Sequence, residues 1–380
     1  MATPISYSLR VAGQPADPQL IDAIRTVEVE DHAKLADVAR LRVATAIADR
    51  GASWSVLDEP ICDRLANVKI AVRLGGESET PLIDGYVIDV KAELSANPAG
   101  STIEIVVMDA TALMDLEEKV KAWPDQSDSA IASSIFGDYS FDADVTSTQL
   151  VRQANDVTVM QRETDIRFLN RLAERNGFEC YVEVGDRGQT VGHFGPPTLQ
   201  ESPQAVLSVN MGTETNVDGF ALRYDMLSAT QASASGIDVQ DASAQPARTQ
   251  SASLHDQGDS STVATDRPRV RLLTPRGLSR TDELQTLTQA AVDRSAFAIT
   301  AEGTVNAAVL GQALRAKKPV LVRGAGSRFS GQFYVERVLH RFDANGYQQR
   351  VTLKRNAAGV LRQDRFTEDD SVAPQPAVSV

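Results

Sequence analysis

One stretch constrains this 380-residue chain more than any other. Residues 320–356 read VLVRGAGSRFSGQFYVERVLHRFDANGYQQRVTLKRN. The apolar run Val320-Leu321-Val322 ends in a glycine-rich turn, Gly324-Ala325-Gly326, and a second strand is expected from Gln332 to Phe342. Asp343-Ala344-Asn345-Gly346 then supplies residue types that tolerate a positive φ, as a tight hairpin demands. In the third strand Tyr347, Gln349, Val351 and Leu353 share one face, while Gln348, Arg350, Thr352 and Lys354 share the other. The alternation predicts an antiparallel meander with one face half buried.

The length is too great for one ordinary core, so two to four domains are expected. A net charge of −13 and a pI near 4.9 argue against a chain that coats nucleic acid, which needs clustered Lys and Arg. No apolar run is long enough to span a bilayer, and the first residues lack a basic segment followed by an apolar one. Synthesis in the cytoplasm without membrane insertion is therefore expected. Cys62 and Cys180 stand far apart with no second cysteine beside either, so two buried thiols are the favoured reading and a disulfide the alternative.

The first 116 residues are rich in strand patterns separated by turn clusters, and Ile103, Ile105 and Val107 make one clean alternating face. A small antiparallel barrel or sandwich is expected there. Residues 117–204 change character. A short helix is expected over Ser127–Phe136. Another is expected over Ile166–Asn176, with Asp165 as its N-cap, an apolar stripe of Phe168, Leu169 and Leu172, and Gly177 at its stop. Arg167, Arg171 and Arg175 recur every four residues and so share one helix face. A solvated, ion-paired face is the bland reading of that row, and contact with an acidic neighbouring subunit is the functional one. Residues 242–265, rich in Ala, Ser, Asp, Gln and Thr, read as a flexible connection. A helix is expected over Thr281–Phe297, and the last residues read as a disordered tail.

Two of these segments together resemble a known family. Phe329, Ser330, Gly331, Phe333, Val335, Val338, His340, Phe342, Tyr347, Leu353, Arg355 and Asn356 follow a pattern found in the late control gene D proteins of contractile phage tails. These are related to the hub half of the type VI secretion spike proteins called VgrG. The string TDIRFLNRLAERNGFECYVE is similar to a second hallmark of that family, in the correct order. Gly236-Ile237-Asp238 stands where family members often carry Gly-Trp-Asp, so the aromatic is lost here.

The resemblance implies a mainly β fold with α+β segments: two antiparallel β-barrels, an α/β domain and a helical insertion. Its expected map is a first barrel over 1–116 and an α/β domain over 117–204. A discontinuous second barrel follows over 205–241 and 319–358, with a connection and helical insertion over 242–318 and a tail over 359–380. It also implies a homotrimeric baseplate hub that adapts a separate trimeric spike to a hexameric inner tube, among other baseplate proteins, in a phage tail or contractile injection particle. Phe168, Leu169, Leu172, Gly177, Gly331, Val335, His340, Tyr347 and Arg355 then become structural motif residues.

His32, His193, His255 and His340 lie at no metal-ligand spacing, and there is no CxxC. No GxSxG nucleophile elbow occurs. Asp115, Glu117 and Glu118 read as a solvated helix start rather than a glycosidase pair. No catalytic residue, metal or cofactor is expected. A cell-wall-degrading tail enzyme is the alternative, and it would need its catalytic domain in the region 242–316.

Overall fold

The computed structural model describes residues 5–48, 53–75, 79–97, 100–153, 158–185, 187–237, 243–274 and 280–364. Of the tail expected over 359–380, residues 365–380 lie outside the described residues, and Arg362–Asp364 forms a short 3-10 turn.

The fold is mainly β, with several antiparallel sheets and a few helices. Twelve strands dominate the largest sheet. In chain order they are β1 (Ile5–Val11), β2 (Ile24–His32), β3 (Val38–Ala44), β4 (Asn67–Leu74), β5 (Glu79–Glu93), β6 (Thr102–Asp109), β7 (Val206–Ser208), β8 (Val217–Tyr224), β9 (Ile299–Val305), β10 (Pro319–Arg323), β11 (Gly331–Asp343) and β12 (Gly346–Arg355). The two-residue strand Gln14–Pro15 adds to the outer edge of β1.

The first six strands pair in the order β2-β3-β6-β5-β4-β1. The second six pair in the order β8-β9-β12-β11-β10-β7. Each strand of the second set thus takes the place of the strand six earlier in the first. Irregularities repeat as well. The register shifts across Ile24/Thr26 in β2 and across Val217/Gly219 in β8. It shifts again across Val87/Asp89 in β5 and across Val335/Arg337 in β11. Bulges are positional features of a sheet, so four at matching places mark two copies of one architecture. Following the paired residues makes Val29 equivalent to Leu222, Ala39 to Ala301, Val107 to Leu353 and Val87 to Val335. Two features break the match: β1 joins β4 antiparallel, whereas β7 joins β10 parallel, and the register shift across Ile70/Ala71 between β4 and β5 has no counterpart between β10 and β11.

Each copy curls about its own core. Leu41, Ile70, Leu82, Ile103, Ile105 and Val107 fill the first, where Tyr7 reaches Phe342 across the sheet with ring centroids 5.3 Å apart. Leu207, Ile299, Val320, Phe333, Val338, Val351 and Leu353 fill the second. Burying each such side chain contributes roughly 1.5–3 kcal/mol. Hydrogen bonding does not close either curl into a separate ring among the described residues. Instead the end of β11 pairs with β2, Arg337 opposite His32 through Phe342 opposite Val27, and fuses the two copies into one sheet.

Between the copies lies an α/β layer. Helices Asp128–Asp138 and Asp165–Asn176 cover the sheet formed by Asp142–Val145, Thr190–Gly195 and Glu179–Val184. Phe168, Leu169 and Leu172 are fully buried there, as their spacing predicts. Gly177 caps the second helix at φ 73°, and a Cβ on it would lie 3.0 Å from the Cα of Ala290. Glycine serves both the left-handed cap and the close approach of helix Thr281–Ala296.

Two expectations need correction. Residues 242–265 are not a structureless connection where they are described. Ala244–Thr249 pairs with Thr230–Ile237, which also pairs with Arg269–Leu273. Helix Thr281–Ala296 covers this small sheet through Leu284, Val292 and Ala296 packed on Ala232, Ala234 and Ala247. Small side chains carry little hydropathy, yet they let a helix approach closely enough to bury its own aliphatic residues. The boundaries of the second β unit shift for the same reason. Thr230–Ile237 leaves it for the small sheet, and Ile299–Val305, assigned to the insertion, supplies its β9.

Candidate functional site

The arginine row is spent inside the chain. Arg167 lies 3.3 Å from Asp115, and both are exposed. Arg171 meets Glu163 at 2.7 Å and donates to the Met160 carbonyl at 3.1 Å. Arg175 donates from Nε to Asp128 at 2.6 Å. Asp128 is also approached by Arg152, which reaches Glu283 at 2.6 Å. Arg175 therefore belongs to a buried network joining three helices, and only Arg167 and Arg171 remain on the surface.

A larger buried network sits where the two β copies meet. Lys317, in the connection before β10, donates from Nζ to Asp31 at 2.8 Å and to Asp37 at 2.9 Å. Arg315 donates to the second oxygen of Asp31 at 2.7 Å, and the backbone N–H of Ala316 joins it at 3.0 Å. Asp37 in turn receives the backbone N–H of His32 at 2.8 Å, and its own N–H donates to Asp109 at 2.7 Å. The side chains of Lys317, Asp31 and Asp37 are all but removed from water. Burial opposes the charge on Asp31, but Lys317 and Arg315 outweigh it and hold that carboxyl far below its ordinary range. Burial wins at Asp37 and pushes its carboxyl well above that range. At Lys317 burial is overcome by Asp31 and Asp37, which raise its pKa. A cation–π contact adds to these: Lys317 Nζ stands 4.9 Å from the ring centre of Tyr181. Nothing in the local sequence marks Lys317, because Lys317-Lys318 reads as a solvated pair.

The remaining motif residues are structural. His340 is fully buried and its Nδ1 lies 2.8 Å from the Tyr347 hydroxyl, with the rings parallel to within 5°. Burial pulls its pKa down to about 3, so the imidazole is neutral. Arg355 is fully buried, donates to the carbonyls of Gln257 and Ser330 at 2.7 and 3.0 Å, and also reaches the Gly359 carbonyl. Burial lowers its pKa to about 10. Gly331 at φ 123° lets that guanidinium pass, since a Cβ there would lie 2.8 Å from its Nη2. Asn356 binds Gln257 and His255. Arg355 and Asn356 thus clamp the loop around 255–257 onto the end of β12. Val335 lies in the second core.

Cys180 is buried and Cys62 half buried, both as free thiols. A cleft of about 390 Å³ lies between helices Asp165–Asn176 and Thr281–Ala296, lined by Phe178, Glu179, Leu254, Arg294, Phe297 and Lys354. Glu179 is already satisfied there by Lys354 at 3.0 Å and by the Tyr334 hydroxyl at 2.5 Å. No cluster of three His, Cys, Asp or Glu side chains suited to a metal occurs among the described residues. No helix among them is long and apolar enough to cross a membrane.

With this geometry the chain can be compared with known proteins. A model of the Alg8 N-terminal domain family matches residues 59–344. The chain belongs to that family. No curated protein sequence matches it. Among solved structures it is similar to the 43 kDa tail protein of prophage MuSo2 from Shewanella oneidensis, with TM-score 0.64, 17% identity, and 93% of this chain and 99% of that one covered. A tail protein from Neisseria meningitidis MC58 follows, with TM-score 0.62, 13% identity and coverage of 93% and 97%. A third is an E. coli component of the type VI secretion system, described as structurally similar to the T4 bacteriophage tail proteins gp27 and gp5. It has TM-score 0.54, 14% identity and coverage of 97% and 79%. The Alg8 N-terminal domain family member described here therefore has the fold of phage tail and type VI secretion proteins.

Proposed function

We propose that this chain is the structural baseplate hub of a contractile tail or injection particle, in the manner of the late control gene D proteins. Three copies form a ring that joins a separate trimeric spike to a hexameric inner tube and contacts other baseplate proteins. The chain has no enzymatic activity, cofactor or specific nucleic-acid site in this reading. The observation that carries it is the repeated strand order with its matching bulges. A chain with two like β units needs only three copies to offer six like faces, which is the direct way to match a three-fold object to a six-fold one. We assign the units to β1–β6 and to β7–β12, with the α/β layer and the small Ala-rich sheet as insertions outside them. In the region 242–316, where an enzyme would need its catalytic domain, the described residues include strands of that sheet, its covering helix and β9.

Native mass spectrometry of the full chain, alone and with the spike protein encoded beside it, tests this. A trimer is expected in at least one condition. A monomer in both refutes the hub.

A further inference from the structure

Among the strand edges left unpaired by the described residues, two match an edge pair that is already joined. Within the chain, β11 has two partners on one flank. Its start pairs with β10 over Gly331–Tyr334, and its end pairs with β2 over Arg337–Phe342. The equivalent strand β5 pairs with β4 only over Glu79–Tyr86. Its end, Asp89–Glu93, pairs with β6 on one flank and with no strand on the other among the described residues. The equivalent of β2 is β8, which pairs with β9 and is the terminal strand of the sheet at that side. The chain thus holds one completed β11–β2 junction and the two separated halves of a second.

We infer that the end of β5 in one copy pairs antiparallel with β8 of the next copy, reproducing between chains the junction that β11 and β2 make within one. This rests on the trimer reading above. Three internal and three external junctions then alternate around a ring of six β units.

Register follows from the template. Val338 opposite Asp31, His340 opposite Val29 and Phe342 opposite Val27 become Val90 opposite Tyr224, Ala92 opposite Leu222 and Leu94 opposite Phe220. Side chains on the two edges suit that fit. Val90, Ala92 and Leu94 present an apolar row to Tyr224, Leu222 and Phe220. Ile88 and Leu94 are 45% and 51% exposed, large for aliphatic residues flanking an open edge. On the opposite face the internal junction carries a diagonal ion pair, Arg337 with Glu30 at 2.7 Å. The equivalent residues are Asp89 and Arg223, the same pair with the charges exchanged. Lys91 stands diagonal to Asp225 in the same register. Among the described residues, Lys91 pairs with Glu93 at 2.7 Å and Arg223 with Asp225 at 3.1 Å, each two positions along its own segment. The apolar residues are directly opposed, with Cβ atoms about 4.5–5.5 Å apart, whereas the ion pairs are diagonal, about 7–8 Å apart and within reach of long side chains; they offset the like charges that directly face each other in this register, Lys91 against Arg223 and Asp89 against Asp225.

The test is disulfide trapping in the full chain. Ala92→Cys and Leu222→Cys are introduced singly and together, and oxidised samples are run without reductant, alone and with the neighbouring spike protein. Native mass measurement of the same samples reports assembly. The expected result is a covalent three-chain species in the double variant, lost on reduction, with each single variant remaining uncrosslinked. A pair placed elsewhere, Ala92→Cys with Arg271→Cys, gives no three-chain species. A trimer that fails to crosslink overturns the junction and leaves the hub standing. Absence of any trimer, with or without spike, overturns both.

Discussion

Replacing Lys317 by Met should destabilise the chain more than almost any other single change of similar volume. The substitution removes the cation from between Asp31 and Asp37, which it contacts at 2.8 and 2.9 Å. Asp31 keeps Arg315 and the Ala316 N–H, while Asp37 keeps only backbone contact from His32 among the partners described above. Breaking a buried pair by removing one partner costs about 3–5 kcal/mol, because the remaining charge is left in a poor solvent. The methionine stem replaces most of the lost packing, so this cost is electrostatic. Its pH dependence has a definite sign. Burial already holds the Asp37 carboxyl above the unfolded value of about 3.9, and removing the cation takes away the charge that opposes this shift. A raised folded pKa destabilises at high pH and stops doing so once pH falls below the unfolded value. The deficit of the variant should therefore be largest near pH 8 and shrink on acidification towards pH 5. Guanidinium unfolding followed by fluorescence of Trp54 and Trp123 measures it at both pH values. A loss under about 1 kcal/mol at pH 8, or a gap that widens on acidification, refutes the assignment of Lys317 as the bridge between the β units.

The arginine row should divide. Arg167→Ala should change stability by less than about 0.5 kcal/mol, since both partners are exposed. Arg175→Ala, which leaves the buried Asp128 with Arg152 and Asn176, should cost about 1.5–3 kcal/mol in the same unfolding assay, the worth of a hydrogen bond to a charged group. Asn356→Ala should release the loop at 255–257 by removing hydrogen bonds worth about 1 kcal/mol each. Limited proteolysis should then cut near His255 in the variant and leave that loop intact in the parent.

Much of this was legible in the residues. The last meander was readable because one face carries Gln349, Val351 and Leu353 at strict alternation, and all three are buried. The helix Asp165–Asn176 was readable because Phe168, Leu169 and Leu172 recur at helical spacing and Gly177 ends them. The small sheet was hidden because Ala232, Ala234 and Ala247 bury a face that hydropathy does not register. The charged bridge was hidden for a different reason. Asp31, Asp37 and Lys317 are about 280 residues apart in pairing, as the hydrogen bonds between them record, so no local window holds both partners. Buried polar groups of this kind are set by the tertiary fold and leave no periodic trace.

The repeat was invisible for a third reason, and that reason bears on how such a chain works. Equivalent positions need only keep the period of the strand, not its residues: Val29 answers to Leu222 and Val107 to Leu353, but Glu30 answers to Arg223 and Arg337 to Asp89. Apolar positions stay apolar because each faces a core. Charged positions at the junctions exchange sign because only the product of the two charges matters there. In the proposed ring the exchange keeps one diagonal attraction at both kinds of junction, Arg337 with Glu30 inside the chain and Asp89 with Arg223 between chains. The apolar row Val90, Ala92 and Leu94 against Tyr224, Leu222 and Phe220 then carries the external junction, because it keeps the period of the strand while the residues themselves have diverged.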